Sequence, residues 1–187
     1  MRWLLAILMG AGLGIASAVA DADVALHPES NLRALGVITD TVSIWVLAAV
    51  LGGWLLARKP WTALGGLVVL ASGFVAWFVY LASRPGGSFD LGALGPEPRA
   101  WAIAGLVIGP LFGLLGGVSR SSSIVGVCAR ISAPVALVAE IVMRHRITTQ
   151  EFSVDPTLAW TSVVLLIAGL LMAAIGVVGP QRSSTSQ

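Results

Sequence analysis

The chain has 187 residues, 57% hydrophobic and 11% charged, with a formal net charge of +2 and a mean hydropathy of +0.92. Soluble domains carry about a quarter of their residues as charges, so this composition excludes a water-soluble fold and puts lipid around the chain. The few arginines stand at segment ends and form no basic run, which gives no footing for nucleic acid, and a single cysteine, Cys128, excludes an intrachain disulfide or a Cys-x-x-Cys redox pair.

Six apolar runs occupy roughly 3–20, 40–57, 61–83, 100–118, 122–143 and 157–178. Each is near the ~20 residues a helix needs to cross about 30 Å of hydrocarbon. The pattern predicts an all-α polytopic membrane bundle of six transmembrane helices, one domain over residues 1–180, with the Ser-rich 181–187 as a disordered tail.

The first run opens with Arg2 and ends at Ala18-Val19-Ala20 before Asp21, a pattern shared with a cleavable secretory signal whose loss would leave five spans. Its near-spanning length and an ordered stripe favour a retained helix. Ala6, Gly10, Gly14 and Ala18 recur at every fourth residue, so one helical face is smooth enough for close backbone approach. After Pro28, the apolar positions Leu32 and Leu35 suggest a short interfacial helix. The second run opens with Thr39, Asp40, Thr41 and Ser43, residue types that cap helix N-termini, and Asp40 is the expected cap. The fourth run repeats the stripe as Gly105, Gly109, Gly113 and Gly117 over about 18 Å of helix. That predicts either a central helix packed on several others or a face for another subunit. Pro110 and Pro134 cannot donate to the carbonyls of Leu106 and Arg130, and predict breaks in the fourth and fifth helices.

Arg130 stands near the middle of the fifth run, where a guanidinium costs at least ~2.5 kcal/mol and needs acceptors. Ser132 and the carbonyl freed by Pro134 are local candidates. Carboxylates could come from Glu140, roughly 15 Å further along the same helix, or from Asp40 on the second. Two readings follow: an arginine that pins helices together, or one that lines an outward polar pocket built from Arg130, Asp40 and Glu140. Glu140 also precedes Arg144 by four residues, the favoured order for a helical ion pair.

Orientation follows from the basic residues. Arg2, the turn Arg58-Lys59-Pro60, Arg120 and Arg182 lie on one side without acids, whereas Arg33, Arg84, Arg99, Arg144 and Arg146 on the other are mixed with aspartates and glutamates. The first set sits in short turns or beside the first helix, where positive charge acts most strongly, which places both termini in the cytoplasm. Trp3, Trp61, Trp101 and Trp160 at run starts, and Trp54 near a run end, suit the headgroup level.

No catalytic constellation, cofactor motif or metal-ligand spacing stands in the sequence. Both histidines, His27 and His145, fall between runs, and no run holds more than one acid, so an enzyme is not expected. The segments Asp40 to Trp45 and Ala102 to Gly113, the latter followed by a basic turn, resemble a family of small bacterial multipass membrane proteins of unknown function. That resemblance implies a bacterial plasma membrane and no activity. The architecture is also similar to the substrate-binding subunits of energy-coupling-factor transporters, which implies that the face of Ala6, Gly10, Gly14 and Ala18 docks on a coupling subunit. Two functions are therefore expected: a small-solute binding or transport component with a pocket around Arg130, or a non-catalytic scaffolding or accessory subunit that meets another membrane subunit, or a second copy, through its glycine stripes.

Overall fold

The computed structural model describes residues 1–27, 32–56, 61–90, 92, 94–148 and 156–178, and among these the regular structure is helical. In chain order the helices are α1 (Arg2–Leu26), α2 (Arg33–Thr39), α3 (Val42–Leu55), α4 (Trp61–Ala82), α5 (Pro96–Val118), α6 (Ile124–Thr148) and α7 (Pro156–Val178). The expected tail, 181–187, lies outside the described residues.

Small residues set the helix contacts, because a glycine lets a neighbouring backbone come within the space a Cβ would fill. Gly10 and Gly14 of α1 lie on Val69 and Gly73 of α4, so these two helices run parallel. Gly117, Gly113, Gly109 and Gly105 of α5 meet Thr62, Gly66, Leu67 and Leu70 of α4 in reverse order, so α4 and α5 run antiparallel. Gly52 of α3 faces Gly65 of α4, and Gly53 faces Gly113 of α5. The hub is therefore α4, packed on α1, α3 and α5. α5 itself packs on α4, α3 and α6, one of the two arrangements its stripe predicts. Both stripes share a pattern because both lie against the same helix.

Small side chains line the closest helix contacts, Leu137, Ile141 and Leu165 fill the interior beside α7, and many large apolar side chains face outward. Ala6, Ala18, Ala20 and Ala49 are fully buried, whereas Leu8, Val75, Ile103, Leu106 and Val107 are more than half exposed. Water would drive the opposite arrangement, and lipid permits this one. Four segments, Arg2–Asp23, Trp61–Ala82, Pro96–Val118 and Ile124–Met143, are long and apolar enough to cross a membrane by length and composition, which points to a membrane location.

The second expected span, 40–57, holds one helix, α3, of 14 residues, about 21 Å, and the short helix expected around Leu32 and Leu35 precedes it as α2; between the two Thr41 is extended (φ −77°, ψ 111°). Side chains hold the break in place. The Thr39 hydroxyl donates to the carbonyls of Leu35 and Gly36 (3.0 and 3.2 Å), Thr41 donates to Val37 (2.7 Å), and the Trp45 indole N–H donates to Thr39 (2.7 Å). These bonds satisfy the carbonyls that end α2, in keeping with the preference of hydroxyl side chains for local backbone partners.

At other ends the helices overrun the expected spans. α1 continues to Leu26, and α5 begins at Pro96, where prolines in the first turn lack only N–H groups that would have no helical acceptor. The two expected breaks do not end their helices: α5 continues through Pro110 and α6 through Pro134.

Candidate functional site

Two charged residues of α6, Arg130 and Glu140, bind backbone beyond the helix, toward opposite ends of it. Glu140 faces the start of α3, where the first peptide N–H groups have no helical acceptor. Its carboxylate accepts from the Val42 N–H (3.0 Å), the Ser43 N–H (2.8 Å) and the Ser43 hydroxyl (2.7 Å). A helix N-terminus favours negative charge, so this is an N-cap supplied by a different helix, 97 residues away in sequence. Thr41, the N-cap residue of α3, makes no side-chain cap bond of its own.

Asp40 does not take the capping position expected of it. It ends α2, donating its own N–H to Gly36 (2.8 Å), and its side chain is exposed. Arg144, the other expected partner of Glu140, has a side chain outside the described set.

Arg130 reaches the turn between α5 and α6. Its Nη1 donates to the carbonyls of Ser119 (2.7 Å) and Ser121 (3.0 Å), which follow the last turn of α5. Two features put that turn in reach. α6 starts at Ile124, so the turn is about 9 Å of helix rise away, and helical side chains lean toward the N-terminus. Beside it, Arg120 donates to the Trp54 carbonyl (2.6 Å) with its guanidinium 4.6 Å from the centre of that indole. The Ser119 hydroxyl returns to Gly116 (2.7 Å). Together they close the ends of α3 and α5 on one side of the bundle.

Of the three members of the expected pocket, Asp40 and Glu140 stand at the α2–α3 junction and Arg130 lies apart from them. Arg130 and Glu140 are ten residues apart, roughly 15 Å along one helix, and serve opposite ends of it. An apolar crevice of about 150 Å³ between the end of α4 and the following turn, bounded by Trp77, Leu81 and Leu94, includes none of the three.

The glycine stripes are likewise engaged inside the chain. A Cβ on Gly14 would strike the Gly73 carbonyl, and one on Gly113 the Thr62 carbonyl. Ala6 and Ala18 are fully buried. A partner subunit cannot use those faces while the bundle is closed. The contacts that sequence reasoning missed are the small residues of α4, whose Gly65, Gly66 and Gly73 are the visible signal, and the bond from the Trp77 indole to Asp21 (3.0 Å) that ties α4 to α1. Comparison with protein families, curated proteins and solved structures gave no match.

Proposed function

We propose that this is a multipass membrane protein that crosses the bacterial plasma membrane six times, with both termini cytoplasmic, and that it acts as a non-catalytic accessory or scaffolding subunit. The observation that carries the choice over a solute carrier is the placement of the α6 charges. Arg130 and Glu140 hold helix ends through backbone hydrogen bonds, at opposite ends of one helix, instead of converging on a shared pocket. Intramembrane charges that serve a solute face a common cavity or a water-filled path.

Length and tryptophan placement support the membrane part. α3, α5 and α7 run against α1, α4 and α6, so the six longer helices alternate in direction. Trp3, Trp54 and Trp61 then fall at one end of the bundle, with Trp3 and Trp61 in edge-to-face contact at 5.9 Å, and Trp101 and Trp160 at the other. Two belts of half-exposed indoles match two headgroup layers. Since the stripes are internal, another subunit or a second copy would be met over the large side chains of the outer surface.

The test is the mass of the particle extracted from its native membrane in polymer-bounded lipid discs, without detergent. A stoichiometric second polypeptide, or a multiple of 19.2 kDa, supports the reading, and the lone 19.2 kDa chain contradicts it.

A further inference from the structure

The glycines divide the molecule into two packing units. In the first, α1, α3, α4 and α5 interlock by backbone: Gly10 on Val69, Gly14 on Gly73, Gly52 on Gly65, Gly53 on Gly113, Gly66 on Gly109 and Gly116 on Val50. In the second, α6 and α7 meet at Gly169, where a Cβ would lie 2.9 Å from Val138 Cγ2 and 3.4 Å from the Pro134 carbonyl. Among the described residues no such glycine contact crosses between the units. α5 and α6, consecutive in sequence, share little packing.

Among the described residues, two kinds of contact cross. One is side chain on side chain: Ala133 with Val46 and Val50, flanked by Phe112 and Leu115, and Leu137, Ile141 and Leu165 with Ile38 and Ile44. The other is the pair of hydrogen-bonded clips, Glu140 on the start of α3 and Arg130 on the turn after α5. In lipid these are unequal. An apolar side chain leaving its neighbour finds acyl chains that are just as apolar, so close backbone packing and hydrogen bonds supply the hold.

We infer that α6 and α7 form a hinged arm, pivoting on the contact of Ala133 with α3 and held closed by Glu140 at one end and Arg130 at the other. The inference rests on the membrane reading above, because in water the apolar contacts alone would keep the arm shut. Ala133 stands seven residues before Glu140 and three after Arg130, so the Glu140 end is the longer lever, at about 10 Å.

The test is a pair of spin-label distances in lipid nanodiscs, measured on a Cys128→Ser background. Labels at Ile103 and Met143 report the Glu140 end, and labels at Leu4 and Val125 report the Arg130 end; all four native side chains are more than half exposed. Glu140→Leu is expected to lengthen or broaden the first distance by about 5 Å, a swing of roughly 20° on a ~15 Å arm, and to leave the second as it was. Glu140→Gln, which keeps one acceptor oxygen, moves it less. A folded Glu140→Leu protein with an unchanged, narrow Ile103–Met143 distance overturns the hinge. Should that variant fail to fold, Ser43→Ala removes the hydroxyl donor to Glu140, and an unmoved distance there overturns it equally. Alkaline extraction of membranes carrying the unmodified chain reads the other premise. Release into the soluble fraction defeats both the membrane reading and the hinge, whereas retention with an unmoved arm defeats the hinge alone.

Discussion

Among the described contacts Glu140 accepts from two peptide N–H groups and the buried Ser43 hydroxyl at the start of α3, so its removal takes a shared acceptor from all of them. Unsatisfied donors cost about 1–3 kcal/mol each in a dry site, but measured side-chain hydrogen bonds within membranes average only ~0.6 kcal/mol. Glu140→Leu is expected to lower unfolding stability by about 1–3 kcal/mol, and Glu140→Gln by about half as much, read from thermal midpoints in one detergent. Equal losses for the two would show that packing, and not acceptance, is what Glu140 supplies. For Arg130 two effects oppose. Its replacement by Met frees the Ser119 and Ser121 carbonyls but also removes a charge whose insertion costs ~2.5 kcal/mol, so a net loss of about 1 kcal/mol is expected, smaller than for Glu140→Leu. Both residues were visible in the sequence as charges inside apolar runs. Their partners were not, because local spacing says nothing of which helix lies alongside, and the N-terminal lean of an arginine decides between the bundle centre and the turn.

At the scale of elements, close packing decides which glycines matter. A leucine at Gly113 would drive into the Thr62 and Ala63 carbonyls and the Gly66 amide, all backbone of α4, whereas a Cβ at Gly12 meets nothing within 4 Å. Gly113→Leu is expected to abolish the folded monomer on size exclusion, and Gly12→Leu to leave it unchanged or slightly stabilised, since glycine costs about 1 kcal/mol in a helix. Loss of fold in both would mean that glycine content, and not position, sets the bundle. The two stripes were legible because four-residue spacing maps directly onto one helical face. The helix they share was harder to read, since the small residues of α4 serve α1, α3 and α5 on different faces and show no single period. The break at Asp40–Thr41 was legible from its cluster of capping residues, but not which of them would cap. The hydroxyls of Thr39 and Thr41 can cap the start of one helix or the end of the one before, and only the neighbouring Glu140 makes the first use unnecessary.

For the whole molecule, the helical class follows from composition and is met in the structure. The alternation of helix direction carries the number of crossings further than length does, because α3 is short of the bilayer alone. Its 14 residues span about 21 Å. The central claim, six crossings with both ends inside, is tested most directly by labelling single cysteines in intact cells with a membrane-impermeant maleimide on a Cys128→Ser background. Ser88→Cys, between α4 and α5, should label from outside, while Ser122→Cys, between α5 and α6, and Ser184→Cys in the C-terminal tail should label only after the cells are opened. Labelling of Ser88→Cys and Ser122→Cys from the same side would contradict the account.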